Sequence, residues 1–340
     1  MDPVSHAVLG RTLVALPRNP PGSAVIVAGM LGALSPDIDV VLMPVAWDVY
    51  LRVHEVGTHS AVGLVVCGLL TAAVVRAFAR RTSYIGLAAA ACAGAASHVL
   101  FDLVSGARLR IGWPVADTKV SLPAVAMADP WLIAVLVLTL VALWRRPRDQ
   151  RRISAVALVG VAGFLLIKAA IGVSAFSRYR EAKDRAALAV SARVVEAQWG
   201  SLRTWHVYDR TASVLRHWRV SAGRDGAVLA FSWPVDEAGP LVPRSRSLPV
   251  VQNFLRAHAL GFAITTSGTN GQSVWWSDLR FCWNPGADGA PKLEPIGVSR
   301  HDGTRIACAL WFGVQFDPGG EPVQQIVKSG SITQTRAVNR

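Results

Sequence analysis

The chain has 340 residues, 52% of them hydrophobic and 17% charged, with a formal net charge of +13. A mean hydropathy of +0.36 is too apolar for an ordinary soluble protein and favours the membrane class. The charge does not argue for a nucleic-acid partner, because its densest run (Arg145, Arg146, Arg148, Arg151, Arg152) falls between two apolar segments, as cationic cytoplasmic loops do.

Taken in chain order, apolar segments are predicted at 3–16, 24–44, 59–79, 84–105, 129–144 and 153–175. The first is too short for an easy span and is expected to pack among the others. No secretory signal peptide is read in residues 1–10, which lack a basic stretch ahead of an apolar one. The second segment is interrupted by Ser35-Pro36-Asp37-Ile38-Asp39, and two carboxylates at membrane depth are costly. Cys67 and Cys92 lie inside apolar runs and read as core residues. The last two segments flank the arginine loop as a hairpin.

The arginines orient the bundle. Arg76, Arg80 and Arg81 cap one hairpin and residues 145–152 the other, so both ends are assigned to the cytoplasm, with Arg18 beside them. Loops 45–58 and 106–128, and the exit of the last segment near Val173, then lie on the outer side, as does His6.

Beyond residue 178 the texture changes. Helix-compatible residues at 178–197 give way to β-like runs at 205–208, 214–220, 227–233, 262–266, 273–276 and 306–316, with a helical stretch at about 248–259. The expected architecture is a multi-helix α membrane bundle of about five to six helices over 1–175, then a soluble α+β or mostly β domain over 176–340. Cys282 and Cys308 are expected either to pair, if that domain lies outside the cytoplasm, or to stay two buried thiols.

The predicted topology gathers His6, Asp37, Asp39, His54, His59, His98 and Asp102 near the outer ends of the apolar segments. That topology rests on hydropathy and arginine placement, neither of which uses the His or Asp positions. His98 and Asp102 are four apart and share one helix face. Imidazoles and carboxylates are the ligands of zinc and similar divalent ions in hydrolytic sites. Each His alone is more often a helix–helix hydrogen-bonding residue, Ser-Pro-Asp is also a common turn, and an ion pathway would use the same residue types. Convergence on one layer favours the metal reading. His54 lies in a polar loop, and His206, His217, His258 and His301 are scattered through the C-terminal domain as structural or surface residues.

In order along the chain stand Ser5-His6 and Gly10, Leu34-Ser35-Pro36-Asp37-Ile38-Asp39, His54-Glu55-Val56-Gly57-Thr58-His59-Ser60, and Ser97-His98-Val99-Leu100-Phe101-Asp102. This series resembles the bacterial inner-membrane metal-dependent hydrolases, with a pattern of the form H…PDID…HRGxTHS…SHxxxD, over about residues 3–145. That family is itself similar, distantly, to zinc-dependent phospholipases C. The resemblance implies a metal set of His6, Asp37, Asp39, His59, His98 and Asp102. It also implies catalytic parts for Asp39 and His54, with Ser60 supporting them. Glu55 and Val56 depart from the pattern, Glu55 standing where Arg is usual. Trp275-Trp276-Ser277-Asp278-Leu279-Arg280 is similar to a segment of C-terminal extensions in that family and implies no chemistry.

The expectation is a metal-dependent hydrolase of the inner membrane. Its cofactor would be a divalent metal, Zn first and Mn second, and its partners membrane lipids and an anionic lipid or envelope substrate. The alternatives are a non-catalytic scaffold with a structural metal site and a partner-binding outer domain, and a transporter. The transporter is disfavoured because the inner halves of the segments carry almost no carboxylates, Lys168 being a lone exception.

Overall fold

The structure, a computed structural model, describes residues 2–17, 21–44, 47–54, 56–223, 225–235, 237, 239–268, 271–283, 296–299, 305–329 and 332–338. Arg18, Glu55 and His301 lie outside the described residues. The chain forms two compact units. The first holds Met1–Arg178, Val195–Trp205 and Ser221–Gly226, and the second holds Tyr179–Val194, His206–Val220 and Ala227–Arg340.

The first unit is helical: α1 (Pro3–Leu13), α2 (Ser23–Leu34), α3 (Trp47–Val53), α4 (Ala61–Phe78), α5 (Tyr84–Val104), α6 (Pro130–Arg145) and α7 (Gln150–Arg185), whose last turns pass into the second unit. A 3₁₀ segment, Ser35–Leu42, continues α2. Among the described residues four stretches are long and apolar enough to cross a membrane: Ser23–Leu42, Ala61–Phe78, Tyr84–Val104 and Pro147–Arg185. Helix α6 is apolar but shorter. Helix α1, at 11 residues, is about 16 Å long and does not span. It buries His6, Val8, Leu9 and Gly10 among its neighbours instead.

Small residues let α1, α2 and α5 approach closely. A Cβ at Gly32 would overlap the Ala91 carbonyl, one at Gly94 the Gly29 carbonyl, and one at Gly10 the same Gly29 carbonyl. Without a hydrophobic driving force in lipid, such backbone-to-backbone packing is what holds helices together. A separate cluster of Val8, Leu9, Phe101, Val104, Leu132, Leu136 and Val161 ties α1 and α5 to α6 and α7. Val65, Leu69, Leu70 and Val74 of α4, with Val159, Leu166 and Ile167 of α7, stay exposed as an apolar outer face.

The strands are β1 (Ala192–Ala197), β2 (Thr204–Arg210), β3 (Val214–Ser221), β4 (Ala227–Pro234), β5 (Gly261–Gly268), β6 (Gly271–Asp278), β7 (Cys282–Trp283), β8 (Ile296–Ser299), β9 (Arg305–Cys308), β10 (Leu310–Phe316), β11 (Pro322–Ser329) and β12 (Ile332–Ala337), with α8 (Leu241–Arg246) and α9 (Pro249–Ala257) before β5. They form sheets in the orders β1-β2-β3-β4, β12-β11-β10-β6-β5 and β7-β9-β8. Leu215 and Trp233 of the first sheet pack with Phe262, Ile264, Trp275 and Trp311 of the second in the core of the second unit.

Two sequence expectations need correction. Helix α7 runs to Arg185 because its polar tail contains neither Pro nor Gly, whereas residues 192–197, read as helix-compatible, form strand β1. Residues 45–58, read as loop, contain α3.

Cys282 and Cys308 face each other across β7 and β9 and form a disulfide, while Cys67 and Cys92 are free. The segment 275–280 is architectural. Trp275 lies over Gly313 of β10, and Trp276 is fully buried and donates to Ser245 Oγ (3.1 Å). The Asp278 carboxylate, also fully buried, accepts from Arg280 N and Nε (both 3.0 Å).

Candidate metal centre

Five short pieces of the first unit carry the polar residues. Asp2 caps α1, accepting from Ser5 N (2.9 Å), and so sets the first turn that carries His6. Pro36 cannot donate to the Gly32 carbonyl, four residues back. Ser35 Oγ donates to it instead (2.8 Å), and the chain tightens into the 3₁₀ turn that presents Asp37 and Asp39. His54 follows α3. His59 immediately precedes α4, whose first turn is capped by Ser60: its Oγ accepts from Gly63 N (2.9 Å) and donates to the Gly57 carbonyl (2.7 Å). The Ser60 hydroxyl is therefore committed to holding the loop. His98 and Asp102 project from the last two turns of α5.

These pieces converge. His98 Nε2 lies 3.2 Å from His59 Nε2, 3.0 Å from Asp102 Oδ2 and 3.4 Å from Asp37 Oδ1. His59 Nε2 is 3.4 Å from the same oxygens of Asp37 and Asp102. One donor atom each from Asp37, His59, His98 and Asp102 fit within 4.8 Å of one another. Asp39, His54 and His59 form a second such group, with His54 Nδ1 at 3.1 and 3.2 Å from the two Asp39 oxygens. His6 stands behind Asp102: its Nε2 is 3.2 Å from Oδ1, and its ring stacks on that of His98 with centroids 3.8 Å apart.

The donor chemistry fits a cation. A carbonyl oxygen only accepts, so the 2.7 Å contact between His98 Nδ1 and the Ala33 carbonyl fixes a proton on Nδ1. A neutral His98 then aims the Nε2 lone pair at carboxylate oxygens, acceptor against acceptor, which a positive charge at the centre relieves. Donors held at about 2.1 Å by a tetrahedral zinc would sit roughly 3.4 Å apart. The 3.0–3.4 Å separations here match that spacing. His6 Nε2 is taken up by Asp102, while its buried Nδ1 has no hydrogen-bond partner among the described residues. A divalent ion would also offset the two carboxylates held at the end of an apolar bundle. His59, His98 and Asp102 are buried, whereas the Asp37 side chain is 33% exposed, so the cluster opens on the Asp37 side.

Every candidate read from the sequence thus falls in or beside one cluster. Sequence reasoning missed three supporting groups. The Ala33 carbonyl orients His98. Thr58 Oγ1 lies 3.1 Å from His59 Nδ1. Tyr50 stacks on His54 with centroids 4.6 Å apart, and its i,i+4 spacing from His54 was a legible signal. Lys168, read as an inner-half exception, lies instead toward the end of its segment away from the arginine cluster, and it does not extend a path toward that cluster. It is buried, with Nζ donating to the Ser201 carbonyl (2.7 Å) and lying 4.8 Å from the Trp205 ring centre. The arginine-rich start of α7 meets the far end of α1, where Arg11 donates to Gln150 Oε1 (2.8 Å) and Arg151 to the Leu16 carbonyl (3.2 Å).

The family model described as YdjM inner membrane protein matches residues 1–175. No curated protein and no solved structure matches the chain, and no similarity to phospholipases C is shown.

Proposed function

From the premise that the chain belongs to the YdjM inner membrane protein family, we propose that it is a membrane-bound, metal-dependent hydrolase acting on a phosphoester or similar bond of a lipid or envelope substrate. The observation that carries the reading is the convergence of Asp37, His59, His98 and Asp102 at metal-ligand spacing, beside a second, partly exposed Asp39–His54 pair. A purely structural metal would need the first group alone.

Asp37, His59, His98 and Asp102 would hold a divalent ion, zinc before manganese, with His6 supporting Asp102. Such an ion supplies Lewis acidity and brings the pKa of bound water to about 7. The work of the chain follows from its geometry. Asp39 grips His54 Nδ1 and leaves Nε2 to take up and return a proton beside the cluster. His59, His98 and Asp102 are buried from water, and the partly exposed side of Asp37 would admit substrate.

The same cluster supports a second reading, because four protein donors also complete a closed structural site. The Trp-rich C-terminal unit would then bind a partner. Hydrolysis of bis(p-nitrophenyl) phosphate and of phospholipid vesicles by metal-loaded protein separates the two. Turnover lost in His54→Ala with metal retained supports the hydrolase. Absence of turnover on all phosphoesters by fully loaded wild type favours the scaffold.

The C-terminal unit belongs on the outer side in this reading. The Cys282–Cys308 disulfide suits an oxidising compartment, and the arginine loop suits the cytoplasm. Alkaline phosphatase fused after Arg340 is expected to be active and fused after Arg148 inactive, and the reverse pattern overturns this sidedness.

A further inference from the structure

The turn between β1 and β2 belongs to the helical unit, and it is fastened there by three hydrogen bonds. Trp131 Nε1, in the first turn of α6, donates to the Gly200 carbonyl (3.0 Å). Lys168 Nζ, within α7, donates to the Ser201 carbonyl (2.7 Å). Trp205 Nε1 donates to the Pro123 carbonyl (2.8 Å), its ring passing Gly172 of α7 so closely that a Cβ there would stand 3.1 Å from it. Gly200 turns the chain with a positive φ of 70°. Outward the turn offers two large apolar side chains, Trp199 at 68% exposed and Leu202 at 45%, with the exposed Arg203 beside them, whose charged head suits the headgroup level.

Depth along α7 says what covers them. A membrane span needs about 20 helical residues. Counted from Arg152, the last arginine of the loop, a span leaves the hydrocarbon near Gly172. Lys168 stands about 6 Å, one helical turn, short of that level. A tilt of α7 would set it deeper. Since Lys168 holds the Ser201 carbonyl directly, the tip of the turn lies at or below the headgroup level. Leu166 and Ile167, on the same turn of α7 as Lys168, are exposed, as side chains facing lipid at that depth would be. Trp131, 51% exposed, adds a second indole at the same level, as aromatic belts do at membrane interfaces.

We propose that the 198–203 turn is a lipid-binding anchor, inserted at the headgroup–acyl boundary of the leaflet on the His/Asp side, with Trp199 and Leu202 as the inserting side chains. The buried Lys168 is its tether, which accounts for a cation inside the otherwise apolar stretch 153–175. This inference is independent of any catalytic reading.

Spin labels test it. The full chain is reconstituted in phosphatidylcholine vesicles with Cys67 and Cys92 replaced by Ala, carrying Trp199→Cys or Leu202→Cys. Leu138→Cys on the outer face of α6 and Ser213→Cys in the β2–β3 turn serve as lipid and water references. Collision with oxygen relative to a water-soluble nickel chelate is expected to be severalfold higher at 199 or 202 than at 213, approaching the value at 138. Labels at both 199 and 202 that match 213 overturn the proposal and turn the patch over to a protein partner.

Discussion

The Nδ1–H of His98 donates to the main-chain carbonyl of Ala33, 65 residues earlier in the chain (2.7 Å). Ala33 sits in the last turn of α2, where carbonyls lack partners within their own helix. The bond therefore satisfies a helix end and aims His98 Nε2 at Asp37 and Asp102 in one stroke.

That bond depends on how closely α2 and α5 approach. Gly32→Ala and Gly94→Ala each force a methyl into a facing carbonyl. Each is expected to cost about 1–3 kcal/mol and to weaken metal binding, read as a lowered detergent melting temperature and reduced metal content. Gly160→Ala and Gly163→Ala have open space and serve as controls. Equal behaviour of the two pairs would contradict the packing account.

Asp39 lies against His54 Nδ1 (3.1 Å) and outside the four-donor group around Asp37, so in the proposed reading it orients His54. If the proposed hydrolase reading holds, Asp39→Asn lowers turnover roughly 10–100-fold, the usual effect of a supporting carboxylate, with metal content unchanged. Loss of metal together with activity would move Asp39 into the ligand set.

Helix existence was legible because hydropathy reports it directly, and the His/Asp layer followed once the arginines set the direction of each segment. The seven-residue α3 escaped because WDVYLRV is too short to show a period and is rich in residues that favour strands. Strand β1 escaped because ARVVEA is locally ambiguous and pairing with β2 decides it. The Ala33 carbonyl could not be read from sequence, since any residue supplies one and only the glycine contacts bring this one to His98.

In the C-terminal unit, His206 Nδ1 and His217 Nε2 lie 2.8 Å apart, with Tyr208 stacked on His217 at 4.6 Å. Burial, then the neighbouring His206 and Arg219, lowers His217 to about 4 from its ordinary 6.5, and burial with Arg219 lowers His206 as well. Between those values the unfolded chain binds more protons than the folded one, so stability falls as pH falls from 6.5 toward 4. The near-UV circular dichroism melt of wild type is expected to drop more between pH 7.5 and 4.5 than that of His217→Phe. Parallel drops would remove the pair as the cause.

The disulfide closes a loop of 26 residues' separation. On the chain-entropy model its removal in Cys282→Ala/Cys308→Ala costs about 3.5 kcal/mol. Denaturant unfolding of the C-terminal unit within the whole chain should show a lower midpoint, and an unchanged midpoint would show that the sheets alone hold the domain.

The most direct test of the central claim is the metal content of detergent-purified protein by elemental mass spectrometry, wild type beside His59→Ala/His98→Ala. One or two equivalents of zinc or manganese in the wild type, lost in the double variant, is the predicted result, on the spacing of a zinc-type donor set. Wild-type protein that holds no divalent metal and takes up none on addition would contradict it.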